Sequence, residues 1–314
     1  MTLLTRKKRT FSERTCCIIN PYAANRRWKR NKLLREYFKR IFPVQIIDSQ
    51  EDKFQTIRAV QKLCRKHDII VAAGGDGTIA DVIEGIVSSG KSEDIIMGVI
   101  PFGSGNAFRS SLGLPKSLWR CVNIISEGQY RTIDLMDIEG KSAAFGSIGA
   151  TAQVVVEKLK HPIPGLIGHL LASTLVLNLP RKRMEIEMFD GMSDQGEPFE
   201  HKTLNLKVFD AVLGKAKHFG YGWRVAPLAK MDDGYIDLTL FETSGLKYIL
   251  LFPLIYLGLY QRFLKHYKAK RIIFRGKGLP IQYQGELMGV KNEIEVNIIP
   301  HALKIITPLP EDRL

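Results

Sequence analysis

The segment from Ile69 to Val87 constrains the fold more than any other part of the chain. An apolar run, Ile69-Ile70-Val71-Ala72-Ala73, feeds Gly74-Gly75-Asp76-Gly77-Thr78. Ile79, Val82, Ile83, Ile86 and Val87 then recur at the spacing of one buried helical face. Strand, glycine loop and helix start therefore follow in direct succession. Such a loop offers unhindered backbone N–H groups and the positive end of a helix, the elements of an anion site. The glycines around Asp76 allow close backbone approach. A tight strand-to-helix turn with no ligand is the competing reading.

The segment Val99-Ile100-Pro101-Phe102-Gly103-Ser104-Gly105-Asn106-Ala107-Phe108-Arg109 repeats the pattern. Ser104 and Asn106 carry short polar groups able to reach a ligand or to cap a helix. Glycine loops that end successive strands point to the crevice outside the carboxyl edge of an open sheet, where α/β folds bind ligands. No Gly-Lys-Ser/Thr follows either loop and no Gly-x-Gly-x-x-Gly is present. The pair therefore reads as a nucleotide phosphate site of neither the P-loop nor the dinucleotide type.

A chain of 314 residues makes one large or two medium domains. Its net charge of +14 is uneven, because residues 1–40 hold 13 Lys and Arg against Glu13 and Glu36. Arg6-Lys7-Lys8-Arg9 reads as part of a mobile basic arm over residues 1–13, and Arg26, Arg27, Lys29 and Arg30 form a second block. No aromatic-basic interleaving supports a nucleic-acid partner. An anionic membrane surface fits better, at roughly 1 kcal/mol for each basic residue near it. A solvated basic face is the alternative. Cys16, Cys17, Cys64 and Cys121 show neither metal-ligand spacing nor a disulfide framework, as expected of reduced cytosolic thiols. No secretory signal is visible. The uncharged apolar run at residues 249–260 contains Pro253 and falls well short of the ~20 residues needed to span a bilayer. A soluble, cytoplasmic protein is expected.

Residues 14–137 alternate as a parallel sheet with crossover helices. Strands are predicted at 16–20, 44–47, 68–73 and 95–100, helices at 28–42 and 54–66, and a strand leaving the domain at 133–137. From 138 to 301 the pattern changes to short alternating or β-branched runs at 184–189, 204–213, 223–226, 236–241, 271–275 and 294–299. Turn chemistry such as Asp190-Gly191 and Asp233-Gly234 separates them. Helical stretches at 165–177 and 246–265 interrupt. The expected fold is an α/β N-terminal domain with an open, mainly parallel sheet, followed by a mostly antiparallel β-sandwich.

Taken together, Gly74-Gly75-Asp76-Gly77-Thr78 and Pro101-Phe102-Gly103-Ser104-Gly105-Asn106 resemble the catalytic domain of diacylglycerol and sphingosine kinases. Asn20-Pro21 at the end of the first strand is similar too. So are the stretch from Ala226 to Asp237, which includes Asp232-Asp233-Gly234, and the late pair Gly285-Glu286. NAD kinases share the first loop, but their downstream Asn-Glu motif is absent. Nothing after residue 130 looks like a phosphofructokinase.

The resemblance implies an ATP- and Mg²⁺-dependent lipid kinase, peripheral to an anionic membrane, with a homodimer compatible with the chain. Its acceptor would be diacylglycerol, a sphingoid base or a related acyl lipid. Gly74, Gly75, Gly77 and Thr78 would cradle phosphates, and Gly103, Ser104, Gly105 and Asn106 would face the nucleotide. Asn20 would contact adenosine or ribose. Asp76 would coordinate magnesium or orient the acceptor hydroxyl, unless it is a turn aspartate bonded to its own backbone. Asp134 is expected to join the acidic network. By resemblance, Asp233 with the carbonyls of Lys230 and Tyr235 would hold a structural magnesium, an ordinary hairpin turn being the alternative. A return of residues 302–308 to the first domain rests on the resemblance as well.

Two departures stand out. The family's late Asp-Gly-Glu is Gln284-Gly285-Glu286 here, and glutamine takes no proton, which leaves Glu286 or Asp76 to act as base. Ala107 stands where diacylglycerol kinases usually carry aspartate, and leans toward sphingosine kinases. Thr151 and Gln153 lean the other way, being neutral where relatives are commonly acidic. These departures motivate the alternative, a degenerate member that binds nucleotide or lipid without efficient turnover.

Overall fold

The computed structural model describes residues 10–103, 106–160, 174, 179–219, 222–260 and 264–308, without the side chains of 24–27 and 158–159. The described residues group into two units. One holds residues up to Gly103, Gly113–Arg131 and the stretch from Leu303; the other holds residues 106–112 and Thr132–Ala302.

In the first unit, β1 (Thr15–Ile19), β2 (Gln45–Asp48), β3 (Ile69–Gly74) and β4 (Ile96–Pro101) pair in parallel in the order β2-β1-β3-β4. Residues 304–305 add a further parallel partner beside Ile96 and Met97 of β4. β1 and β3 are buried at every position, which is why they read as continuous apolar runs rather than alternating ones. The helices are α1 (Phe11–Arg14), α2 (Ala23–Arg30), α3 (Lys32–Ile41), α4 (Lys53–Leu63), α5 (Asp76–Val87) and α7 (Leu118–Glu127). The single helix expected over 28–42 is two, because Asn31 caps α3 by accepting from Leu34 N–H at 2.9 Å. Trp28, Phe38 and Phe102 pack edge to face with centroids 5.5–6.0 Å apart.

The second unit contains α6 (Ala107–Leu112) and α8 (Ala150–Lys160). Its strands begin with β5 (Tyr130–Ile138), which enters from the first unit, then β6 (Lys141–Ala143), β7 (Phe145–Gly149), β8 (Lys182–Met192) and β9 (Pro198–Val208). β10 (Asp210–Gly214), β11 (Ile236–Phe241), β12 (Lys265–Tyr283) and β13 (Glu286–Ile306) follow. The pairings of β7 to β13 within this unit are antiparallel. β12 changes partners along its length. Residues 265–269 pair β11, 268–275 pair β8, and 281–283 pair β7. Since β10 joins β7 to β11, these pairings close a ring around a core that includes Ile148, Leu213, Leu238 and Ile281. The run 204–213 is divided between β9 and β10. Residues 223–226 form no strand, only an isolated bridge between Phe219 and Trp223. Most of 165–177 lies outside the described residues, and the described part of 246–265 overlaps two short helices, Gly245–Leu250 and Phe252–Tyr256.

Asp210 opens β10 fully buried and holds the first turn of α8. Its Oδ1 accepts from Thr151 N–H at 3.1 Å and its Oδ2 from the Thr151 hydroxyl. Burial pushes this carboxyl up to about 7, against the opposing pull of the Thr151 bonds. A folded-state value above the unfolded one contributes stability that is present at low pH. That contribution fades as pH rises from the ordinary carboxylate range through about 7. Asp210→Asn is therefore expected to flatten the decline in unfolding midpoint between acid and neutral pH. Midpoints at pH values either side of this window test it; parallel profiles for the two proteins would contradict the assignment.

Candidate active site

β3 ends at Gly74 and α5 begins at Asp76, with Gly75 at the N-cap and no side-chain cap. The first N–H groups of a helix have no partner within it, and a glycine cap leaves them to an incoming oxygen. The second loop lies directly against the first. Phe102 N–H and Gly103 N–H donate to Gly74 O at 3.0 and 3.1 Å, and a Cβ on Gly75 would stand 3.3 Å from Gly103 Cα. A Cβ on Gly74 would stand 2.5 Å from both Cβ and Oγ1 of Thr78, whereas one on Gly77 would meet nothing within 4 Å. Glycine is thus required at Gly74 and closely fitted at Gly75, and the cradle is open at Gly77.

Asn20 braces this loop from β1. Its Nδ2 donates to Thr78 Oγ1 at 3.0 Å, its Oδ1 accepts from Tyr22 N–H at 2.8 Å, and its N–H donates to Ala73 O at 2.9 Å. Thr78 is buried, and Asp76 is half-buried in the first turn of α5. A cavity of about 580 Å³ opens beyond the carboxyl ends of β1 and β2, lined by Pro21, Tyr22, Lys29, Ser49, Gln50 and Gln55 among others. Asn20, Gly74, Gly75, Asp76, Gly77, Thr78 and Gly103 are thereby gathered in one unit. Ser104 and Gly105 lie outside the described residues. Asn106, with φ of 48°, precedes α6, and its carbonyl accepts from Ser110 N–H and Oγ at 3.1 and 3.2 Å. Ala107 is fully buried, a position where a carboxylate would need a partner.

In the second unit the loop before β11 brings Asp233, Lys230 and Tyr235 beside Asp134 and beside two lysines the sequence did not single out. Lys215, fully buried after β10, donates from Nζ to Asp233 Oδ1 at 2.7 Å and to Tyr235 O at 2.6 Å, and lies 3.3 Å from Asp134 Oδ2. Lys268 Nζ donates to Asp233 Oδ2 at 2.5 Å and lies 3.7 Å from Asp237 Oδ1. Asp134 also accepts from Gly234 N–H at 2.7 Å and His301 N–H at 3.0 Å. Lys230 N–H reaches Asp237 Oδ2 at 3.4 Å. Burial pushes the Asp233 carboxyl up, but the two lysines outweigh it and hold it below its ordinary value. Burial carries Asp237 up to about 6 against the pull of Lys268. The one signal for Lys215 was its place directly after the apolar run of β10.

Gln284 and Gly285, with φ of 47° and 85°, form the turn between β12 and β13, the conformation of a two-residue type I′ hairpin. The Gln284 side chain is turned inward: it is 6% exposed and Nε2 donates to Ser142 O at 3.1 Å. Glu286 is half-buried and its Oε2 accepts from Tyr283 OH at 3.2 Å. Among the described residues no helix is long and apolar enough to cross a membrane.

Residues 14–138 match the model of the diacylglycerol kinase catalytic domain, and residues 189–307 that of the YegS C-terminal NAD kinase beta sandwich-like domain. The chain is 27% identical to a diacylglycerol kinase of Staphylococcus saprophyticus over 68% of its own length and 70% of the relative's. It is 26% identical to a probable lipid kinase YegS-like protein of Enterobacter sp., over 62% of this chain and 64% of the other. The crystal structure of a diacylglycerol kinase from Bacillus anthracis str. Sterne has the same fold, with TM-score 0.70 at 17% identity over 96% of this chain and 99% of that one. Both the N-terminal kinase domain and the β-rich second domain are thus accounted for. The chain thus joins a region that matches the diacylglycerol kinase catalytic domain to one that matches the YegS C-terminal domain.

Proposed function

We propose that this protein transfers the γ-phosphate of ATP to a hydroxyl of a membrane lipid, with diacylglycerol, a sphingoid base or a related acyl lipid as acceptor. The observation that carries the proposal is the contact between the two glycine loops at the carboxyl ends of β3 and β4, beside a helix start whose cap is glycine. Phosphoryl transfer is mainly positioning and electrostatic stabilisation. The backbone N–H groups around Gly75 and Gly77 hold phosphate oxygens, and Asn20 fixes Thr78 so that the loop keeps its shape. The polar cavity at Pro21 and Gln50 takes the nucleoside end. Mg²⁺ arriving with ATP would neutralise phosphate charge, with Asp76 the residue on this loop suited to hold it. Asp76 or Glu286 takes the proton of the acceptor hydroxyl.

The protein acts in the cytoplasm, peripheral to the membrane. Leu246, Leu250, Leu254, Leu257 and Leu259 are exposed in and after the two short helices of the second unit, a surface that gains by entering the acyl boundary of a bilayer. The test is transfer from labelled ATP to diacylglycerol, monoacylglycerol, sphingosine and ceramide in mixed micelles with Mg²⁺. A labelled lipid names the acceptor class, and ATP binding without any labelled lipid rejects the kinase reading.

The degenerate alternative is motivated by Gln284, and the hairpin separates the two. With its amide committed to Ser142 O, position 284 holds no base, so Gln284→Asp is expected to change the transfer rate by less than about threefold. Glu286→Gln is expected to lower it by roughly 10²-fold or more if Glu286 is the base. A tenfold gain in Gln284→Asp would instead identify a lost base and favour the degenerate reading.

A further inference from the structure

We propose that the ammonium group of Lys215 stands in for the structural divalent cation that the family resemblance assigns to the Asp233 loop, so that the β-rich unit needs no metal to fold. The donors expected to hold the ion are Asp233 and the Tyr235 carbonyl, with Lys230. The first two already converge on one positive atom, Lys215 Nζ, at 2.7 and 2.6 Å. Asp134 Oδ2, 3.3 Å away, adds a third oxygen as an ion-pair partner of the same ammonium. The remaining Asp233 oxygen is taken by Lys268.

A divalent ion does not fit this arrangement. Mg²⁺ binds its oxygens at ~2.0–2.1 Å and demands near-octahedral geometry. An ion at that distance from Asp233 Oδ1 and Tyr235 O would be forced against the ammonium already bonded to both. Lys215 has no alternative place. It is fully buried, and its own N–H is tied to Ala144 O at 2.8 Å, so the charged tip is delivered to this point by β10. A buried ammonium is tolerated only where oxygens surround it, and removing either partner leaves the other charge uncompensated. Lysine and metal are therefore mutually exclusive occupants of the same oxygen cluster, and this chain carries the lysine. Asp134 is fixed to serve it by the backbone N–H groups of Gly234 and His301.

The inference is independent of whether the protein turns over a lipid, and its test uses nucleotide-free protein. The wild-type unfolding midpoint is expected to be the same in EDTA and in millimolar Mg²⁺, and spin resonance in Mn²⁺ titrations should show no ion that Asp233→Asn displaces. Lys215→Met, which keeps much of the side-chain volume and removes the charge, is expected to unfold earlier in EDTA and to recover with Mg²⁺. It should also bind one Mn²⁺ that the added Asp233→Asn change abolishes. A folded Lys215→Met protein indifferent to metal would overturn the proposal. So would a wild-type midpoint that rises with Mg²⁺ and ceases to rise in Asp233→Asn, a result readable even if Lys215→Met does not fold.

Discussion

Asp76→Ala is expected to reduce lipid phosphorylation by roughly 10²–10⁴-fold, the usual cost of losing a positioned acid–base or charge-stabilising group. The same change should leave the fold nearly intact. Asp76 is half-buried in the first turn of α5, where a carboxylate favours the helix by about 0.3–1 kcal/mol through the macrodipole. ATP affinity measured without acceptor should survive better than turnover, because in the proposed function the Gly74–Gly77 backbone, which this change leaves alone, supplies much of the phosphate binding. Calorimetric titration with ATP, the unfolding midpoint and the transfer rate together give a signature: folded, nucleotide-competent and inactive. Turnover within threefold of wild type would remove Asp76 from the chemistry and leave it as a turn residue.

The second large effect concerns the β-rich unit. Gly149→Ala is expected to destabilise it by about 2–6 kcal/mol, combining the cost of a strained backbone with that of overpacking. Gly149 ends β7 with φ of 120°, where L side chains are rarely found, and a Cβ there would stand 2.6 Å from Phe209 O and 3.2 Å from Asp210 Cα. Both obstacles are backbone. Phe209 O also accepts from Ala150 N–H at 3.0 Å, and Asp210 is the register partner of Gly149 in the β7–β10 ladder. Neither can withdraw without unpairing β10 and releasing the start of α8. A loss of this size is a large share of the roughly 5–15 kcal/mol that stabilises a typical domain. Urea unfolding followed by tryptophan fluorescence measures it, and an unchanged midpoint would mean that the strand end is shaped differently in solution.

Some of this architecture was legible because local chemistry and tertiary position agree. The run from Ile69 is buried on both faces and is apolar throughout, and α5 presents Ile79, Val82, Ile83 and Ile86 to the core at helical spacing. Other parts were hidden. β12 was visible only over 271–275, because Gly276, Gly278 and Pro280 interrupt its pattern; the irregularity between Arg275 and Leu279 absorbs them within one strand. Asn31 looked like an ordinary helical residue, though its side chain starts a new helix. The Asp233 loop announced oxygen ligands but not what they hold. Lys215 reaches them across 18 residues of sequence, and a lysine's burial is decided by its surroundings, which no local pattern encodes.

The parallel strand at residues 304–305 has a consequence for synthesis. β1 to β4 have all been made by Pro101, yet the partner of β4 on its outer side is not made until residues 304–305. Until the ribosome has delivered it, Ile96 and Met97 border an unpaired sheet edge, the kind of surface that recruits foreign strands. At about 5–20 residues per second, that exposure lasts for the translation of some two hundred residues, or roughly 10–40 seconds. The unit that carries the glycine loops is thus begun well before it can be finished, and throughout that interval the nascent chain is a natural client for chaperones.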